Sequence, residues 1–158
     1  MSDVLRIVAG GLIALVCAYV GVLVKRRYRA REKFYCEALE YFNFFERELT
    51  FKKTPMPDIN NAFSMAHSGE FAKLLKEPAQ LDKKSAYTYL KQAEKDSVKS
   101  ALKGLGTSVY HEQLAYVKRW QAEMQESADR CGKENKKYGG MYFKLCVLLG
   151  IALLILVV

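Results

Sequence analysis

The chain begins with a long apolar run. Eighteen residues from Ile7 to Val24 carry no charge. As a helix they cover roughly 27 Å at about 1.5 Å per residue, close to a hydrocarbon core of about 30 Å. Directly behind them stand Lys25, Arg26, Arg27, Arg29, Arg31 and Lys33, six cations in nine residues. Such a cluster stays on the cytoplasmic side of a bilayer. A cleaved signal peptide has the opposite order, with charge before the apolar run and a small-residue cleavage site after it. The pattern therefore predicts a retained transmembrane helix over residues 4–24, with the amino terminus outside. A cleaved signal or a buried core helix is the alternative.

The far end mirrors this arrangement. Leu145 to Val158 is uncharged, and counting back to Tyr138 gives 21 residues interrupted only by Lys144. A lysine near a helix end lifts its ammonium to the interface along its own methylene stem. Tyr138, Tyr142 and Phe143 occupy interfacial aromatic positions, and Lys133, Lys136 and Lys137 supply the inside charge. A second span over residues 138–158 follows, with both termini outside and residues 25–137 forming one cytosolic domain. In the first span Gly10, Ala14 and Ala18, with Cys17 and Gly21 beside them, have the spacing that lets a second helix approach closely. The nearest partner is the second span through Gly150. Small residues are also simply frequent in membrane helices.

Between the spans the apolar positions have helical periods. Phe34, Ala38, Tyr41, Phe42, Phe45 and Leu49 form a stripe, widened by Tyr35 and Leu39, while Glu37, Glu40, Arg47 and Glu48 lie opposite. Phe44 falls on the charged side, about 280° round from Phe34 at 100° per residue. It is either a scattered exposed aromatic or a partner contact. Thr54-Pro55-Met56-Pro57 ends this helix and opens the next. Short helices are expected near Asp58–Ala66 and Glu70–Lys76, and a longer one from an N-cap at Ser85 to about Lys103, with Tyr87, Leu90, Val98 and Leu102 inward. After the Gly104-Leu105-Gly106-Thr107-Ser108 turn, Tyr110, Leu114, Val117, Gln121, Met124, Ala128, Cys131, Asn135 and Tyr138 hold a heptad spacing. Pairing of this seam with the Phe34–Leu49 stripe gives an antiparallel bundle, and a coiled-coil dimer is the rival. Tyr116, about 120° from the seam centre, joins Phe44 as a candidate partner contact.

Charge adds one point. The chain is +8 overall, but most of the excess lies in the segment 25–33, where it acts on anionic lipid at about 1 kcal/mol per residue. A nucleic-acid surface needs a basic stripe on the folded domain, and none is visible. The four cysteines have no metal or redox spacing. His111-Glu112 begins like a zinc-protease motif, but Ala115 stands where histidine is required. No catalytic, cofactor or metal residue is assigned, so an enzyme is the least favoured class.

Several elements in order resemble the stage III sporulation protein AB family of endospore-forming bacteria. They are Glu48-Leu49-Thr50-Phe51 leading to Thr54-Pro55-Met56-Pro57, then Leu105-Gly106-Thr107-Ser108 with Gln113. Lys137-Tyr138 to Leu145-Cys146 and Gly150 complete them. Val109 stands where the family usually has Asp, and Cys146 where it usually has Gly. The first weakens a charge favourable at a helix start, and the second bears on tight packing. The resemblance implies an all-α membrane hairpin whose cytosolic bundle is similar to type II secretion inner-membrane platform domains. It implies a non-enzymatic component of a secretion-like complex in the mother-cell membrane around the forespore, beside a companion ATPase and stage III sporulation channel proteins, with membrane lipids as further partners. A membrane-tethered adaptor unrelated to secretion is the alternative reading of the residues.

Overall fold

The computed structural model describes residues 2–52, 54–83, 85–107 and 109–157, the side chains of 2–7, 154, 156 and 157 excepted. All of its regular elements are helices. They are α1 (Ser2–Phe51), α2 (Met56–Ala66), α3 (Glu70–Lys76), a 3₁₀ turn (Pro78–Asp82), α4 (Gln92–Lys103), α5 (Tyr110–Glu134), a π turn (Asn135–Gly139) and α6 (Gly140–Val157). The chain divides into two compact units. One is Met1–Ala30 with Cys131–Val158, and the other is Arg31–Arg130. Among the described residues, α1 is the one helix long and apolar enough to cross a membrane. α6 is apolar apart from Lys144 and spans 18 residues.

The Arg31–Arg130 unit is built on the aromatic stripe of α1. Phe34, Tyr35, Ala38, Tyr41, Phe42 and Phe45 are all buried. Rings from α2 and α3 meet them edge-on, with Tyr41–Phe63 centroids 5.2 Å apart and Phe34–Phe71 5.4 Å. Aromatic pairs favour this geometry because a positive ring edge meets a negative face. The Tyr41 hydroxyl donates to Asn60 Oδ1 at 2.5 Å, which satisfies a polar atom that the stripe buries. Burial pushes its phenol well above the ordinary range.

Proline chemistry sets the first boundary. α1 stops at Phe51, and Pro55 takes an extended conformation (φ −60°, ψ 145°) as the N-cap of α2, with Pro57 in the first turn. A proline there sacrifices a donor that has no partner anyway. Glu48 holds the connection from behind by accepting hydrogen bonds from Lys52 Nζ at 2.8 Å and Thr54 Oγ1 at 3.1 Å.

The helix α3 starts on a contact from α1. Its N-cap is Gly69, which has no side chain to cap with, and the Phe71 N–H donates instead to Glu37 Oε2 at 3.0 Å. Placing a carboxylate at a helix start satisfies an orphan donor and suits the helix dipole. The carboxylate fills the space a side chain at 69 needs, because a Cβ there would lie 2.1 Å from it.

Two expectations are corrected. The fourth helix begins at Gln92 rather than after Ser85. Tyr87 takes a left-handed conformation (φ 51°), which no helix continues through. Its hydroxyl donates to the Glu70 carbonyl at 3.1 Å, so contact with α3 holds it there. Tyr87 and Leu90 still point inward, but from a turn. On α5 the buried row is Gln113, Val117, Trp120, Met124, Ser127, Ala128 and Cys131. Trp120 displaces Gln121 from the centre, Tyr110 is exposed, and Leu114 is half-buried. Gln121 lies at the edge, where its Nε2 donates to Phe42 O, Asn43 Oδ1 and Glu46 Oε2 at 3.3, 3.1 and 2.7 Å. The α5 stripe is thus buried inside the chain and meets α1. Ser108, the expected hydroxyl cap, lies outside the described residues.

Gly69→Ala is expected to destabilise the full chain by about 1–2 kcal/mol, the typical cost of losing a helix cap. Glu37→Ala should cost a similar amount, and the double variant no more than the larger single, because both remove the same hydrogen bond. Denaturant unfolding in detergent reads this, and additive losses would show that Glu37 does not cap α3.

Candidate functional site

Three places gather the side chains with functional potential. The first is where the chain enters and leaves the Arg31–Arg130 unit. Arg31, its first residue, is 7% exposed, and Glu94 of α4 is 9% exposed. Arg31 Nε donates to both Glu94 oxygens at 3.2 Å, and its terminal nitrogen reaches Oε1. Arg130, the last residue of the unit, stands 3.9 Å from the same oxygen. The other oxygen accepts the Lys91 N–H at 2.9 Å, so Glu94 also closes the start of its own helix. Burial alone would raise the Glu94 carboxyl, but the hydrogen bonds from Arg31 and from the Lys91 backbone bring it below its ordinary value.

The second place is a groove of about 560 Å³ between α1 and the end of α2. It is lined by Glu40, Asn43, Phe44, Glu46, Arg47, Phe63 and His67. His67 stacks on Phe63 with centroids 4.0 Å apart, and its Nε2 lies 4.0 Å from Glu40. Phe44 is half-buried here, its ring 5.8 Å from Phe63. It therefore does not stand free on a charged face, because α2 covers part of that face. Tyr116, the other candidate contact, is half-buried, and its hydroxyl donates to the Ser100 and Ala101 carbonyls at 2.8 and 3.1 Å. It closes the end of α4. A smaller, apolar cleft of about 340 Å³ lies between Met56, Leu75, Leu81 and Leu102.

The third place is the other unit, where α1 and α6 run antiparallel. Each gives the other a glycine. A Cβ on Gly21 would lie 3.1 Å from Cys146 Cβ, and one on Gly150 would lie 3.2 Å from Cys17 Cβ and 3.3 Å from Ala14 Cα. The reciprocal Cys-over-Gly contact lets Cys146 and Cys17 keep the helices close. The glycine is on the opposing helix in each case. Gly10 is buried, and Ala18 is half-buried. Around both helices, Leu12, Leu15, Val16, Tyr19, Leu148 and Ile155 present apolar surface outward.

The flanking cations divide. Lys25, Arg26, Arg27, Arg29, Lys33, Lys136 and Lys137 are exposed. Arg31 differs, because its charge is engaged by Glu94 within the bundle. Among the described residues, no group of three or more His, Cys, Asp or Glu is placed to hold a metal ion. Glu94 and the Glu37 cap escaped the sequence reading, since their partners are 63 and 34 positions away. Trp120 could have been found, as a tryptophan one position from a glutamine is the better candidate for a core.

The family model for stage III sporulation protein AB matches residues 6–158 of the chain. No curated protein and no solved structure matches it.

A carboxyl whose folded pKa lies below its unfolded one stabilises the fold above the unfolded value. That contribution is lost as pH falls through the folded value. Stability of the full chain should therefore decline as pH drops below about 4.5, the ordinary value for Glu94. Glu94→Gln should be less stable at neutral pH and show a flatter acid limb in thermal unfolding. Identical acid limbs would contradict the role given to Glu94.

Proposed function

Since the chain belongs to the stage III sporulation protein AB family, we propose that it is a non-enzymatic platform component of a secretion-like complex required for endospore formation. In this role it links a cytosolic ATPase to a membrane channel. Family membership carries the role in sporulation. One observation supports the finer reading: α1 contains both the apolar run and the aromatic stripe of the bundle core. One helix is thus suited to lipid over one stretch and to protein packing over the next, as a component joining a membrane complex to a cytosolic motor requires.

In this reading α6, counted from Tyr138, is a second span with Lys144 lifted to the interface. Both termini lie outside, and the Arg31–Arg130 unit is cytosolic, in the mother-cell membrane around the forespore. The bundle plays the part of a type II secretion platform domain. Its partners are the companion secretion-type ATPase and the other stage III sporulation channel proteins. The groove at Phe44 is the docking surface, since it combines a half-buried aromatic with the exposed carboxylate of Glu40, and aromatic anchors supply much of the energy at interfaces. Tyr116 can offer its ring but not its hydroxyl, which is engaged by the Ser100 and Ala101 carbonyls.

The test is recovery of the ATPase with the full-length chain from membranes of sporulating cells. Phe44→Ala should weaken recovery at least about tenfold, corresponding to about 1.4 kcal/mol. Phe44 leans on Phe63, so thermal unfolding is measured on the same variant. Glu40→Lys, at an exposed rim position, changes the groove without touching the core and should weaken recovery as well. Normal recovery with both variants would remove the groove from the interface. Failure to recover the ATPase with the unaltered chain would leave a membrane-tethered adaptor.

A further inference from the structure

The unit formed by Met1–Ala30 and Cys131–Val158 contains a cluster that the platform role leaves unused. Tyr28 of α1 meets Tyr138 of the π turn and Tyr142 of α6, each with ring centroids 6.4 Å away. Tyr138 and Tyr142 are 6.3 Å apart. Tyr28 and Tyr142 are nearly parallel, at 10°. Tyr28 and Tyr138 are half-buried and Tyr142 is exposed. None of the three hydroxyls is hydrogen-bonded to another described residue. Cations border the rings. Lys137 Nζ lies 5.2 Å from the Tyr138 centroid, and Lys25 Nζ lies 5.8 Å from the Phe143 centroid.

We propose that this cluster is a binding site for the headgroup of an anionic phospholipid. Its chemistry fits a phosphodiester: three phenol donors for the phosphate oxygens and two ammonium groups for its charge, with no carboxylate among the five side chains. The occupant is a lipid rather than an acidic protein segment because apolar surface continues from the cluster on both helices. Leu23 is 44% exposed on α1 and Leu145 is 52% exposed on α6. An acyl chain attached to a bound headgroup would lie along that surface. The Tyr rings pack α1 against the turn, so lipid occupancy also braces the start of α6. The assignment rests on α1 and α6 lying in a membrane.

The full-length chain is inserted into phosphatidylcholine vesicles containing a minor fraction of phosphatidylglycerol. It is then extracted in neutral detergent, and the lipid retained with it is quantified by mass spectrometry. Phosphatidylglycerol should be enriched at least about tenfold over its bulk ratio, equivalent to about 1.4 kcal/mol. The triple variant Tyr28→Phe, Tyr138→Phe, Tyr142→Phe keeps the rings and loses the donors, and its enrichment should fall several-fold. The double variant Lys25→Gln, Lys137→Gln should abolish enrichment. If only the lysine variant loses enrichment, diffuse charge attraction replaces a built site, and the proposal is overturned. An inserted wild-type chain without enrichment also overturns it and leaves the membrane reading standing. A chain that inserts into neither neutral nor anionic vesicles would bring down the membrane reading itself.

Discussion

The Arg31–Glu94 pair is the contact on which the bundle depends. Two opposite charges are buried together, and the geometry is good enough to offset their desolvation because Glu94 is satisfied from several directions. The pair fixes the first residue of the unit to α4, and Arg130 approaches the same carboxylate from the last residue. The aromatic stripe supplies buried apolar surface, yet hydrophobic burial is non-directional. A buried ion pair adds register, since one of its members cannot be shifted without leaving the other charge unpaired.

Much of the fold was legible in the sequence where its cause is local. The Pro55–Pro57 boundary follows from missing donors. The Phe34–Phe45 stripe follows from helical period, and the α2 and α3 limits follow from proline and glycine. Where tertiary contact decides, the sequence was ambiguous. Tyr87 could sit in a helix as far as propensity goes, and it adopts φ 51° because its hydroxyl reaches the Glu70 carbonyl. Heptad counting on α5 chose Gln121 over Trp120, since spacing alone cannot weigh a bulky ring against an amide.

Charge counting has a similar limit, and it bears on the candidate site. Six cations behind an apolar run read as a membrane flank, but a count cannot tell a solvated arginine from one paired inside a bundle. Arg31 falls on the protein side of that division and Arg29 on the exposed side. Phe44 taught the converse. A helical wheel places it opposite the core stripe, yet α2 crosses over that face and turns an exposed aromatic into the wall of a groove. Both cases trace to helices packing on more than one side of α1, so that its wheel has no single polar face.

The most direct test of this account is a double-mutant cycle on Arg31 and Glu94 in the full-length chain, read by denaturant unfolding in detergent. Arg31→Met takes away the nearest cation of Glu94, and Glu94→Leu the carboxylate that Arg31 donates to, and each should cost about 3–5 kcal/mol. The double variant removes both charges and should recover most of that loss, giving a coupling energy of several kcal/mol. Single variants within about 0.5 kcal/mol of the parent, the usual range for surface substitutions, would contradict the claim that this pair holds the bundle together.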